Sequence, residues 1–127
     1  MHSDQLARRA AKAGPYRLIE GMLIYTTDCV EHYERSALRV GAHTTRRSDL
    51  GGWLPQLDDP ATLGCLLYLL REARKDRGIS VGAGCEGWFA VSGEITEGPW
   101  QGAQNVMVAG CASEAHAIVE ALEGCSA

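Results

Sequence analysis

No two of the five cysteines stand close enough to form a C-x-x-C pair: Cys29, Cys65, Cys85, Cys111 and Cys125 are separated by 36, 20, 26 and 14 residues. Zinc ribbons, redox dithiols and haem attachment need short paired spacings, so the thiols read as reduced residues of a cytoplasmic protein. Long apolar runs are missing too. The longest, Cys65 to Leu70, is far short of the roughly 20 residues of a spanning helix, and no membrane association is expected. The opening residues, Met1 to Arg9, lack the apolar centre of a secretory signal, so export by that route is not expected. There is no basic excess either: 12 Lys and Arg face 16 Asp and Glu, for a net charge of -4. Phosphate-driven binding usually leaves the opposite balance, and direct nucleic-acid binding is not expected. Repeats, low-complexity tracts and linkers are absent, so residues 1–127 read as one domain. At 13.7 kDa area scaling buries roughly two thirds of the unfolded surface, enough for a core without a disulfide or a structural metal.

The mild net charge hides a polarised chain. Residues 1–77 hold all 12 Lys and Arg against 10 Asp and Glu, a balance of +2; residues 78–127 hold six Glu and no Lys or Arg, a balance of -6. The second part suits a basic protein surface and gains association rate from it. Its candidate contacts are Glu94 and Glu97.

Along the chain, a short helix runs from Ser3 to about Ala13, where Gly14 and Pro15 stop it. The runs Arg17 to Ile19 and Met22 to Tyr25, separated by Glu20-Gly21, predict a hairpin. Asp28 to Val40 fits a helical face and, at its end, a strand. Gly41 to Pro55 is polar and reads as a loop. Asp59 as N-cap and Pro60 at the first helical position open a helix expected to end near Arg77. Its apolar stripe is Leu63, Leu66, Leu67, Leu70 and Ala73. Gly64 within it is expected to admit another backbone closely. Gly87 to Val91 and Asn105 to Ala109 read as strands. Ser113 caps a last helix with Ala115, Ile118, Val119 and Leu122 on one face and Gly124 as its stop. Strand pairs followed by single helices predict an α+β fold: a small antiparallel sheet with two main helices packed on one face and a short N-terminal helix.

Catalytic motifs are not apparent. Gly82-Ala83-Gly84-Cys85-Glu86-Gly87 fits G-x-G-x-x-G, but a dinucleotide needs the helix that follows, and Trp88-Phe89-Ala90-Val91 is strand-like. A glycine-rich turn is expected. Cys29 and His32, with His43 and Cys65 or Cys85, are ligand types without converging spacing. His116 and Glu120, one turn apart, read as a solvated pair on the polar face of the last helix. Ser48, Ser92 and Ser113 lack the nucleophile-elbow context. No catalytic residue, metal site or cofactor is expected, and the chain reads as a non-enzyme.

Arg71, Arg74, Lys75 and Arg77 crowd the end of the central helix, where positive charge complements the dipole. Together with Arg46 and Arg47 they are also a candidate phosphate-contacting patch. Trp100 lies in a glycine-rich loop, and such a residue either folds back on the core or stands out as an anchor. A lid over the core is the expectation, with Trp100 kept among the candidate contacts. Trp53, ahead of the central helix, should pack.

The segment from Leu54-Pro55-Gln56-Leu57 through Leu69-Leu70-Arg71-Glu72-Ala73, and the closing stretch from Ser113-Glu114-Ala115 to Ala121-Leu122-Glu123, resemble small uncharacterised proteins encoded by bacteriophages and prophages. The resemblance covers about a quarter of the chain and carries no assigned site. It implies a phage accessory protein in the host cytoplasm that binds and blocks a host protein, for example a nucleic-acid-binding CRISPR component, in the manner of an anti-CRISPR inhibitor. A small-ligand or nucleic-acid-fragment binding module and a small Cys/His-dependent enzyme are the alternatives, and dimerisation stays open.

Overall fold

The computed structural model describes residues 3–26, 37–44 and 50–125. The pair Cys29 and His32, the candidate contacts Arg46 and Arg47, and Ser48 lie outside the described residues. Among those described, three helices and six strands form an α+β fold: α1 (Ser3–Lys12), β1 (Leu23–Thr26), β2 (Ala37–Arg39), β3 (Trp53–Pro55), α2 (Pro60–Arg74), β4 (Ser80–Gly84), β5 (Gly87–Val91), β6 (Val106–Cys111) and α3 (Glu114–Glu123). The antiparallel pairing is as expected, but the strands divide between two three-stranded sheets, in orders β2-β1-β3 and β4-β5-β6.

In the first sheet β1 is central, with Ile24 opposite both Leu38 and Pro55. The predicted hairpin partner of β1, Arg17 to Ile19, is not a strand. Gly21, at φ 104, turns the chain, and its N–H donates to Val40 O at 2.9 Å while Val40 N–H donates to Met22 O at 2.7 Å. That pairing belongs to the β2 side and leaves Leu18 and Ile19 free to pack on the core.

Helix α2 opens as its sequence dictates. Asp59 is extended (φ -91, ψ 119) and accepts the Thr62 N–H at 3.0 Å, with Pro60 entering the first turn. It ends earlier than expected, because Lys75 turns left-handed (φ 53, ψ 40) and its N–H returns to Arg71 O and Glu72 O. The buried stripe is Thr62, Leu66, Leu69 and Leu70, and Ala73 is exposed. The stripe is displaced because the fully buried Thr62 hydroxyl accepts the Leu23 N–H at 2.8 Å, locking that side of the helix to β1. Gly64 faces open space, with nothing within 4 Å of where a Cβ would stand, so no backbone approaches it.

In the second sheet Val81 faces Ala90, and Ala90 faces Val108 across a bulged register. Strand β4 was not anticipated, since Gly82 and Gly84 read as turn. Both lie under the Phe89 ring, which stands 3.1 Å and 3.4 Å from their Cβ positions, and the aromatic cover makes glycine acceptable in the strand.

Helix α3 packs on this sheet, on α2 and on α1. One apolar cluster joins both sheets through α2 and α3: Ile24 of the first with Met22 just ahead of it, Leu66, Leu69 and Leu70 from α2, Ile118 and Leu122 from α3, Ala90 from the second. Helix α1 closes the side, with Leu6 and Ala10 against Ala115 and Val119, and Ala7 against Tyr25 and Leu54. Polar clasps hold it there: Arg9 to Glu123, and the Tyr25 hydroxyl to Asp4 at 2.7 Å. Trp53 is half-buried against the core.

Candidate functional site

The connection between β5 and β6 is an arm bonded to itself. Ser92 N–H donates to Asn105 O and Asn105 N–H to the Ser92 hydroxyl, each at 2.8 Å. Further out, Ile95 N–H donates to Ala103 O at 3.0 Å and Gly102 N–H to Ile95 O at 2.8 Å. Gly98 (φ 87) and Gly102 (φ 85) take the left-handed turns that close the tip, a conformation costly for any residue with a Cβ. At the base, Asp76 receives the Gly78 N–H at 3.0 Å and the Gly93 N–H at 2.9 Å, tying the arm to the end of α2.

Trp100 sits at the tip and is 72% exposed. The expected lid is therefore overturned. The arm is closed by bonds of its own and by the Asp76 clasp, and the indole at its tip stands in solvent. Glu94 and Glu97 are exposed on the same arm. Sequence reasoning named these three residues but missed Asp76, Ser92 and Asn105, which hold the arm in shape.

The basic candidates are less available. Arg71 donates to Ile79 O from Nε at 2.9 Å and Nη2 at 2.7 Å, so its guanidinium bridges α2 to the start of β4. An open depression of about 650 Å³ beside it is lined by Tyr68, Arg71, Glu72, Lys75 and Arg77. Glu72 puts a carboxylate among those cations, and Arg17 pairs with it at 3.1 Å. The Arg17 guanidinium holds the Glu72 carboxyl below its usual range. Arg74 and Lys75 are exposed.

The G-x-G-x-x-G stretch is the β4–β5 hairpin, with Gly84 opposite Gly87. Its last glycine opens a strand and has φ 118, with Cys111 O 2.7 Å from its Cβ position. The helix N-terminus a pyrophosphate needs is absent there, and the expected glycine-rich turn shrinks to Cys85 and Glu86, with Gly82 to Gly84 in strand β4.

Among the described residues one group brings three metal-ligand types together, and it is not the group singled out from spacing. Cys111 ends β6, and His116 and Glu120 face it from α3. The Cys111 thiol donates to Glu120 Oε2 at 3.5 Å. Ala112 N–H donates to His116 Nδ1 at 3.1 Å, leaving Nε2 to donate to Glu120 Oε1 at 3.1 Å. Burial pushes the thiol up, and the Glu120 carboxylate pushes it further. A protonated thiol is no nucleophile, and both ring nitrogens of His116 are engaged, so the group is not arranged for cysteine catalysis. The pair His116 and Glu120 is half-buried, with side chains 22% and 38% exposed, not simply solvated. The signal for the group was the capped turn: Ser113 Oγ accepts the His116 N–H at 3.1 Å, which sets His116 one turn before Glu120 and directly over the strand's last residue. His43, Cys65 and Cys85 form no such group among the described residues.

No helix among the described residues is long and apolar enough to cross a membrane. Compared with protein-family models, curated proteins and solved structures, the chain has no match.

Proposed function

We propose that this chain is a non-catalytic binding protein whose contact element is the arm from Ser92 to Asn105. Trp100 is its anchor, Glu94 and Glu97 form its charged rim, and a basic protein surface is its target. The observation that carries the reading is the exposure of Trp100, 72%, on an arm closed by hydrogen bonds of its own. A large aromatic on a preorganised support loses little entropy on docking, which is how hot-spot residues act. The absence of Lys and Arg after position 77 gives the arm a single sign of charge and selects a basic partner.

Within the setting implied by the phage-like segments, the partner is a host protein in the cytoplasm. A basic groove that ordinarily holds nucleic acid, as in a CRISPR-type defence complex, is the surface this charge pattern suits. Contacts by Arg74 and Lys75 are secondary in this reading, and Arg71 serves the fold.

The test is site-specific photocrosslinking in bacterial cells with a photoreactive phenylalanine derivative at position 100, and at position 68 as control. The expected result is one discrete protein adduct from position 100, absent from position 68 and lost when Glu94→Lys and Glu97→Lys are added. Equal adducts from both positions, or no discrete adduct from position 100, overturn the reading.

A further inference from the structure

Away from the arm, Cys111, His116 and Glu120 bring a thiol, an imidazole and a carboxylate to one point, with one ligand atom from each within 4.8 Å of the others. Tetrahedral zinc, at about 2.3 Å to sulfur and about 2.0 Å to nitrogen and oxygen, sets ligand separations of about 3.5 Å for S···O and about 3.3 Å for N···O. The Sγ to Oε2 distance is 3.5 Å and the Nε2 to Oε1 distance is 3.1 Å. Each distance is of the length such a polyhedron sets, but the two end on different oxygens of the one carboxylate, so Glu120 must turn to bring a single oxygen to both neighbours when the ion enters.

We propose that Cys111, His116 and Glu120 bind one zinc-class divalent cation, with water at the fourth position. The donor set is the borderline-soft mixture of sulfur, nitrogen and oxygen that such an ion takes, and a thiolate with a carboxylate neutralises its two charges. Two protons now fill the place of the ion, one from the thiol and one from Nε2, both directed at Glu120. On binding, the thiol proton leaves to solvent and the ring proton moves to Nδ1; Ala112, which is exposed, passes its N–H to water. Arg9 stands 3.9 Å from Glu120 Oε1 but is engaged by Glu123. The entrance is the half-buried edge formed by His116 and Glu120, with Cys111 behind it at 2% exposure. Open access and three protein ligands match a site that keeps a solvent position.

Cobalt(II) chloride titrated into the reduced, metal-free protein is the probe, read by absorption. The expected result is a sulfur-to-cobalt charge-transfer band with tetrahedral visible bands, saturating at one ion per chain and displaced by zinc. Both signals should disappear in Cys111→Ser and persist in Cys29→Ser, Cys65→Ser, Cys85→Ser and Cys125→Ser. Glu120→Gln, at a partly exposed position that spares the core, should weaken binding at least tenfold. Absence of the bands, their survival in Cys111→Ser, their loss in Cys29→Ser, or unchanged affinity in Glu120→Gln overturns the site and leaves a purely hydrogen-bonded cluster.

Discussion

Gly78 and Gly93 meet backbone to backbone: a Cβ on Gly78 would stand 2.7 Å from the Cα of Gly93. Real side chains do not tolerate that approach, so both positions require glycine for reasons of space. Asp76 closes the same junction by accepting both of their N–H groups. The base of the arm is thus fixed to the end of α2.

Gly78→Ala should therefore destabilise the protein by about 1–3 kcal/mol, the range for forced overpacking. Urea denaturation measures this, and hydrogen exchange at Ile95 and Ala103 should quicken as the junction opens. An unchanged midpoint would show that the junction yields freely.

Asp59 is held from its ordinary 3.8 down to about 2, first by the Arg39 guanidinium, at 2.7 Å, and then by Thr62. A carboxyl with a lowered folded value binds fewer protons folded than unfolded. Its contribution is complete above about pH 4 and is lost as pH falls through about 2. Arg39→Gln should flatten the fall in stability between pH 4 and pH 2, measured as urea midpoints at several pH values. Equal slopes in the two proteins would refute the assignment.

Thr62→Val keeps the shape of a fully buried side chain and removes the acceptor of the Leu23 N–H. A stranded buried donor costs about 1–3 kcal/mol. Because the bond joins α2 to β1, exchange of the Leu23 amide should rise more than that of Val108 in the other sheet.

Tyr16 carries a hydroxyl that is buried and without a hydrogen-bond partner, and burial pushes its ionisation well above the ordinary 10.0. Tyr16→Phe removes the unsatisfied group and leaves the ring. Stability should rise by about 1 kcal/mol, seen as a higher thermal midpoint; a fall would mean that the hydroxyl is satisfied by water.

The parts of the fold that were legible in the sequence are those fixed within a few residues. Asp59 and Pro60 announced α2, and Ser113 announced α3, because a cap acts on its own first turn. Ala37 to Arg39 was legible as a strand but not as the partner of β1, and Trp53 to Pro55 was hidden at the end of a segment that reads as a loop; both are held to β1 by pairing that no neighbouring residue encodes. Strand β4 was hidden by its glycines, whose reason is the Phe89 ring on the next strand. Of the site, the acidic and aromatic members of the arm were visible as residue types. Their presentation depends on left-handed Gly98 and Gly102 and on the Asp76 clasp, all of which are properties of the folded backbone. Cys111 was missed as a companion of His116 and Glu120 because it belongs to a strand and they belong to a helix.

The shared apolar cluster has a consequence for how this chain comes apart. Ile24 of one sheet, Met22 just ahead of it and Ala90 of the other belong to one apolar cluster with leucines of α2 and Ile118 and Leu122 of α3. The largest cluster is common to both sheets, so losing one exposes the support of the other. Both should melt in a single all-or-none step. Helix α1 rests instead on small contacts, chiefly Ala7 and Ala10 with Leu6. It is the element able to detach first, as a local opening that leaves the rest standing.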